Sequence, residues 1–579
     1  MRASVALVAT VCVLASAARA ATYAELAAKA EAGLEHAAKA GKKAAAVEPP
    51  EKPYRPSDED RERGLVVYVP PLAAPFTDRP PAEEEVRQTL EVQAAQGETE
   101  SFLLAVHALE PQRGATWGFA TPRRAGSARP RVRVELLPVV LAPMGQRRSE
   151  SYRVVGLWLA DEGAVDVPAG HSRAWLVRLH VDEEATPRDY ALLPMLSVHG
   201  GQPRRAGPAI RLRVLPFRLA DPWKRDYVFG AFCAGADFSL AQYREMKAHG
   251  IEAILWFWGH YGLDVRNDGG KLVMDFAALD RTVARFQEAG LRGPIVLALG
   301  NDCCGHFERA ICQAFDLPMQ PQVRRRRKEV KLAVLDDPRI EKLMVEALRQ
   351  LFDHAKAHKW PEIVILPYDE PTERLMDEHR RMVRLFRTHF PHVRLYGVTM
   401  NRLRWAEMVS DTDILVANGD WARIRELATE KDKAAWFYGS VTTRHGYSGC
   451  RWRYGLRPYA YRPDGMWFWC YNFHPGDPWN DFDSFTPDSS WVIVWPPLEE
   501  GQGSVETLAY EGLREAVDDV RYAMTLEARL ERADGAPAAK VRADYQRWLQ
   551  GLQGAEPSPA DVLGHRQQLI AWLEALGAE

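Results

Sequence analysis

Two adjacent carboxylates, Asp369 and Glu370, stand at the end of the run Ile363-Val364-Ile365-Leu366-Pro367-Tyr368 and are followed by Pro371. The run reads as a buried strand, and in barrels and open parallel sheets the C-terminal strand end is where reacting groups are placed. Carboxylates this close repel one another, which favours retention of one proton near neutral pH. A carboxylic acid beside a carboxylate is the pair that glycoside cleavage uses. A solvated strand-end turn would carry the same two residues with no chemistry, so the surrounding elements must decide.

Those elements alternate. After Asp221-Pro222-Trp223 eight candidate strands follow, at 227–233, 253–258, 294–299, 363–369, 394–399, 414–418, 434–439 and 465–471, with helical stretches such as 240–249, 276–289 and 338–358 between them. Strand–helix alternation implies a parallel sheet, and eight such units over about 250 residues fit a (β/α)8 barrel of the TIM type. The fourth strand delivers Asp369 and Glu370, whereas the seventh, Ala434-Ala435-Trp436-Phe437-Tyr438-Gly439, has no carboxylate. That argues against the usual two-carboxylate retaining layout and leaves substrate assistance, in which the sugar's own 2-acetamido oxygen attacks the anomeric carbon. Glu370 would then be the acid/base, and Asp369 would hold the acetamide N–H and stabilise the developing positive charge. Neighbours on a regular strand face opposite ways, so the strand must break at this pair. Pro371 cannot continue the ladder and is expected to hold Glu370 extended.

Other strand ends supply candidate sugar-binding groups: Tyr368 beside the acids, Asn401 after strand five, Tyr438 on strand seven, and Trp469 or Tyr471 on strand eight as an apolar floor under a pyranose ring. A barrel-lining core role competes for the aromatics. Arg453, with Arg457, could bind sugar hydroxyls or pair with surface acids. Trp256 and Trp258 alternate on strand two, so one of them could face inward.

A chain of 579 residues exceeds one core, and two to four domains are expected. Arg2, the apolar stretch 5–15 and Ala18-Arg19-Ala20 read as a secretory signal over residues 1–20, so an exported periplasmic or extracellular protein is expected. No later run is long enough to span a bilayer, and membrane insertion is not expected. Residues 21–63 read as a helical segment and a Pro-rich linker, 64–220 as short strands of a β-sandwich, 221–504 as the barrel and 505–579 as a helical region. The segment 300–337 is long for a loop and is therefore expected to be functional or disordered. Its basic run, Arg324 to Lys328, fits a solvated helix face or an anion site.

The formal net charge of −3 gives no signal for nucleic acid. Of seven cysteines Cys12 lies in the signal, and the other six are too sparse for a disulfide scaffold. Cys303, Cys304, His306 and Cys312 match no zinc spacing, so no metal or cofactor is expected.

Three further stretches accompany the acid pair: Gln96-Gly97-Glu98-Thr99-Glu100-Ser101, Asp464-Gly465-Met466-Trp467-Phe468-Trp469, and Leu513-Arg514-Glu515-Ala516-Val517-Asp518-Asp519-Val520-Arg521-Tyr522. With Asp369-Glu370 they resemble glycoside hydrolase family 123 and its uncharacterised relatives over most of residues 64–530. The resemblance implies β-N-acetylgalactosaminidase chemistry, with Asp369 orienting the acetamide and Glu370 as acid/base. Ala509 departs from it, standing where relatives commonly place an Arg. Three functional readings follow, each with a glycan or glycoconjugate partner. The first is an exported glycosidase acting on a 2-acetamido sugar. The second is a glycosidase of other specificity that recruits Asp237, Asp302 or Asp420. The third is a non-catalytic carbohydrate-binding protein on a degenerate barrel.

Overall fold

The computed structural model describes residues 21–120, 131–145, 150–235, 237–257, 263–301, 304–323, 329–334, 337–371, 376–400, 411–474, 476–482 and 492–577. Asn401, Asp302, Cys303, Trp258, the basic run and residues 1–20 lie outside them.

Period-2 patterning shapes the N-terminal half. Along Ala209–Arg218, Ile210, Leu212 and Val214 are buried while Arg211 and Arg213 are exposed. Strands of this kind form two sheets. One is ordered Lys43–Ala44, Ser151–Leu159, Val132–Gly145, Ser172–Val181, Thr99–Ala108, Leu65–Tyr68; the other Thr89–Gln96, Ala209–Arg218, Asp189–Ser197, Gln112–Ala120, Val165–Val167. Inward residues of both share one apolar core, in which Trp117 meets Trp175 edge to face at 6.1 Å. Helix Tyr23–Lys39, capped by Thr22, packs on the first sheet.

The second half is a nearly closed eight-stranded parallel barrel. Its strands are β1 (Val228–Cys233), β2 (Ala253–Phe257), β3 (Ile295–Ala298), β4 (Ile363–Leu366), β5 (Tyr396–Met400), β6 (Ile414–Asn418), β7 (Ala434–Ser440) and β8 (Gly465–Trp469). Sequence neighbours pair in parallel from β1 to β4 and from β5 to β8, and β8 pairs with β1. An Ile365–Leu395 bridge, with the Ile365 N–H donating to the Arg394 carbonyl at 3.0 Å, brings β4 beside β5. Alternate side chains go two ways, as strands buried on both faces require. Phe232, Leu255, Val364, Trp436 and Trp467 fill the interior, whereas Phe229, Ile254, Ile365, Phe437 and Phe468 pack under the outer helices. Gly230 makes room for the Trp467 ring, into which a Cβ at that position would project.

Outer helices follow from caps and 3.6-residue spacing. In Pro338–Ala357 the Asp337 carboxylate accepts the Arg339 N–H at 2.9 Å, Pro338 starts the first turn, and Ile340, Met344, Leu348, Leu351 and Ala355 form the buried stripe. Between β3 and β4 the described residues form a short hairpin (Gly300–Asn301 with Cys304–Gly305), helix His306–Ala314 and a second hairpin (Met319–Val323 with Glu329–Ala333).

The helix Leu508–Arg532 is buried nearly all round although it is rich in charge. It lies between the sheets and the barrel. Arg178 of the first sheet donates to Glu511 at 2.9 and 2.6 Å, and Ser101 to Glu511 at 2.5 Å. Arg514 donates to Glu511 at 2.9 Å and to the Thr99 carbonyl at 2.7 Å. Arg566 joins Glu100 at 2.6 Å, Glu515 at 2.5 Å and Asp519 at 2.7 Å, while Arg451 grips Asp519 with two bonds of 2.7 Å. Gly512 lets this helix touch helix Gly446–Tyr454, because a Cβ there would run into the Tyr447 carbonyl. That contact offsets the cost of a mid-helix glycine, about 1 kcal/mol.

Carboxylates outnumber guanidiniums in this cluster. Burial pushes Glu98 up to about 7, and burial with the nearby Glu515 charge holds Glu100 well above the usual carboxylate range. A carboxyl whose folded pKa is raised binds its proton more tightly in the native state, so its stabilising contribution is complete below about pH 4.3 and fades as pH rises through about 7. Thermal stability is expected to decline between about pH 4.3 and 7, and Glu98→Gln, which needs no proton, should flatten that decline in melting curves; an unchanged slope would refute the assignment. Arg566→Met strands three buried carboxylates and should cost about 3–5 kcal/mol by denaturant titration.

Candidate active site

Pro367 ends the β4 ladder, and Tyr368, Asp369 and Glu370 follow in a bend. The break occurs at Glu370, whose φ is +43°. The expectation that Pro371 holds Glu370 extended is therefore wrong. A non-glycine residue in the left-handed region costs about 1–2 kcal/mol and persists only where surroundings fix it. Here the Asp369 N–H donates to the Gly300 carbonyl at 3.1 Å, the Tyr368 hydroxyl donates to buried Glu308, and the Tyr438 hydroxyl donates to Glu370. The segment between β3 and β4 thus braces the acid pair from behind.

Tyr438 on β7 and Tyr396 on β5 both lie in the barrel interior. Burial first, then the charges of Glu370 and Asp369, holds the Tyr438 phenol well above its ordinary value. Burial, then Asp369 and Glu370, does the same to Tyr396. Both carboxylates thus act on the same two phenols, which stay protonated as O–H donors. The Tyr396 hydroxyl is buried and has no hydrogen-bond partner among the described residues. Trp469 sits at the rim in contact with Phe232 and Phe257, both at 5.8 Å, and Phe473 at 5.6 Å. Phe232 in turn touches Tyr438 at 5.3 Å. One end of the barrel therefore gathers two acids, two phenols and an aromatic rim. Acids and hydroxyl donors over an apolar platform can protonate a leaving oxygen while a sugar face rests on the rings.

Of the sequence candidates, Asp369, Glu370, Tyr438 and Trp469 lie in this assembly. Tyr368 and Tyr471 do not, because both are buried in the layer between strands and outer helices, Tyr471 bonded to Glu245 at 3.0 Å and Ser504 at 2.8 Å. Strand parity alone would turn Tyr368 inward with Val364 and Leu366, but the ladder ends at Leu366 and the bend that follows carries Tyr368 into the outer layer, where its hydroxyl donates to Glu308. Trp256 also faces outward, and the inward residue of β2 at the rim is Phe257. Arg453 lines a separate cleft of about 560 Å³ beyond the ends of β6 and β7, together with Asp420, Ser440, His445 and Arg457. Arg457 pairs with Glu556 at 2.9 Å. Asp237 is exposed and paired with Arg285 at 2.8 Å. Ala509 is buried in the apolar core. Sequence reasoning missed Tyr396, Phe232 and Phe257, since apolar residues on strands buried on both faces do not announce which face is inside, and Phe473, which lies beyond the end of β8.

Residues 263–526 match the model described as glycoside hydrolase 123, catalytic domain. The chain carries a family 123 glycoside hydrolase domain. It is a glycoside hydrolase. The match runs from the hairpin that follows β2 (Asp264–Asp268 with Lys271–Asp275) to within helix Leu508–Arg532, and so includes the acid pair, Tyr438 and Trp469. Among solved structures, a family 123 glycoside hydrolase from Clostridium perfringens, described for glycolipid glycan hydrolysis, superposes with a TM-score of 0.66 at 11% identity, covering 88% of this chain and 98% of that one. At that identity the likeness concerns the fold. A family 39 glycoside hydrolase from Bacteroides cellulosilyticus reaches a TM-score of 0.35 at 11% identity, over 74% of this chain and 82% of that one. No curated protein matches the chain.

In the family 123 domain the Tyr438 hydroxyl favours the charged form of Glu370 by donating to it. Tyr438→Phe removes that donor, and kcat is expected to fall about tenfold or more while the fold is kept; kinetics identical to wild type would show that the contact has no catalytic weight.

Proposed function

We propose that this chain is an exported hydrolase of β-linked 2-acetamido sugars, of the β-N-acetylgalactosaminide kind, working by substrate-assisted retaining catalysis on a TIM-type barrel with an N-terminal β-sandwich. The observation that carries the reading is the pairing across the barrel end: β4 supplies both acids, and β7 answers with the Tyr438 hydroxyl on Glu370 instead of a second carboxylate. No nucleophile is then required of β7 if the substrate brings its own. Glu370, protonated, gives its proton to the glycosidic oxygen as the acetamide oxygen attacks C1 and the C1–O bond breaks. Asp369 accepts the acetamide N–H and stabilises the oxazolinium charge. Water then adds to C1, giving its proton to Glu370, and the ring reopens with net retention. Trp469 and the neighbouring Phe rings present an apolar face to the pyranose. The Clostridium perfringens structure concerns glycolipid glycans, which supports a glycoconjugate substrate. Arg2, the apolar stretch and Ala18-Arg19-Ala20 support export.

Hydrolysis of aryl β-N-acetylgalactosaminide and β-N-acetylglucosaminide tests this reading. Glu370→Gln and Asp369→Asn should each lower kcat/KM by about 10²–10⁴-fold, and product analysis by NMR should show retention. Equal rates in wild type and both variants, or net inversion, would sink it.

A further inference from the structure

On the outer wall of the barrel, three side chains unrelated to the acid pair converge. His354 lies near the C-terminus of helix Pro338–Ala357 and His358 caps that helix. Their i, i+4 spacing puts both rings on one face. Asp280, in the first turn of helix Ala277–Glu288, faces them. His354 Nε2 is 2.9 and 3.1 Å from the two Asp280 oxygens, and His358 Nδ1 is 3.9 Å from Asp280 Oδ1. One donor atom from each residue lies within 4.8 Å of the other two. Tetrahedral coordination with bonds near 2.1 Å sets ligand atoms about 3.4 Å apart, so the triad stands close to chelating geometry.

The supports are also those of a ligand set. The Trp360 N–H donates to Asp280 Oδ1 at 3.2 Å and orients the carboxylate. Phe276 stacks on His354 at 4.1 Å and holds that ring. Such contacts around the ligands fix ring and carboxylate orientation before a metal arrives. His358 stacks on the other face of His354 at 4.0 Å, and its side chain is 53% exposed. A turn of this exposed ring would bring its lone pair toward that of His354, with the solvent side open to water as a fourth ligand.

We propose that Asp280, His354 and His358 form a binding site for a divalent transition-metal ion, zinc foremost, that cross-links the two helices flanking β3. Two imidazoles with one carboxylate suit zinc, nickel, cobalt or copper rather than magnesium or calcium. Binding replaces the proton that His354 Nε2 shares with Asp280 by the metal and releases it to solvent. The site holds no group of the proposed reaction, so its test is independent of substrate.

The experiment is calorimetric titration of the chelator-treated full chain with zinc chloride, repeated with magnesium chloride, alongside thermal melting. One equivalent of zinc should bind and raise Tm, with no uptake of magnesium. Cobalt should give a visible d–d spectrum of low-coordinate N/O type. His358→Ala, at a half-exposed position, should lose that equivalent or weaken it at least tenfold and abolish the Tm gain; His354→Gln should do the same. Absence of saturable zinc uptake, or uptake unchanged in the His354→Gln/His358→Ala double variant, overturns the proposal.

Discussion

Four guanidiniums, those of Arg178, Arg451, Arg514 and Arg566, are taken out of water around one helix, and the architecture hangs on how they are paired. Each buried ion loses several kcal/mol of hydration, which is recovered only when partners sit at hydrogen-bonding distance. Apolar packing tolerates a sliding contact, but this cluster does not. Glu511 must meet Arg178 from the sheets and Arg514 from its own helix at once, and Asp519 must meet Arg451 from the barrel and Arg566 from the C-terminal helix. The helix Leu508–Arg532 therefore has one register, and it fixes the sheets, the barrel and the terminal helices relative to each other. Two of the sequence stretches that accompany the acid pair, 96–101 and 513–522, are the two sides of this joint.

That joint lies away from the strand ends where the acids stand, which separates the cost of assembly from the cost of the site. The local strain sits at Glu370, held in the left-handed region by a ring of tertiary hydrogen bonds. Tyr438 restrains the carboxylate from across the barrel, Gly300 restrains the Asp369 backbone, and Glu308 restrains Tyr368 from behind. Breaking the alternation of a strand lets two consecutive carboxylates act on the same phenols, which a regular strand forbids.

Much of the strand layout is legible in the sequence because strand and helix periods differ. The run 363–369 is read as a strand and proves to be Ile363–Leu366 plus a bend, and 338–358 is read as a helix and proves to be Pro338–Ala357. The segment 300–337, read as a long loop that is functional or disordered, contains two hairpins and a helix among its described residues. Among the described residues its short strands, Met319–Val323 and Glu329–Ala333, pair with each other, and they lack the long apolar pattern by which a strand announces itself. Trp469 was separable from Tyr471 only in three dimensions: the chain leaves the barrel wall between them, and Tyr471 enters the outer layer.

The sequence by itself determines that parallel strands end in Asp369-Glu370 and that strand seven brings no acid, because residue type and periodicity are local properties. The tertiary structure alone decides that Tyr438 reaches Glu370, that Tyr396 shares their interior, and that Glu370 leaves the extended region. Those facts join residues tens of positions apart through closure of the barrel. Closure depends on which face of a doubly buried strand turns inward, and a run of apolar residues looks the same from either side.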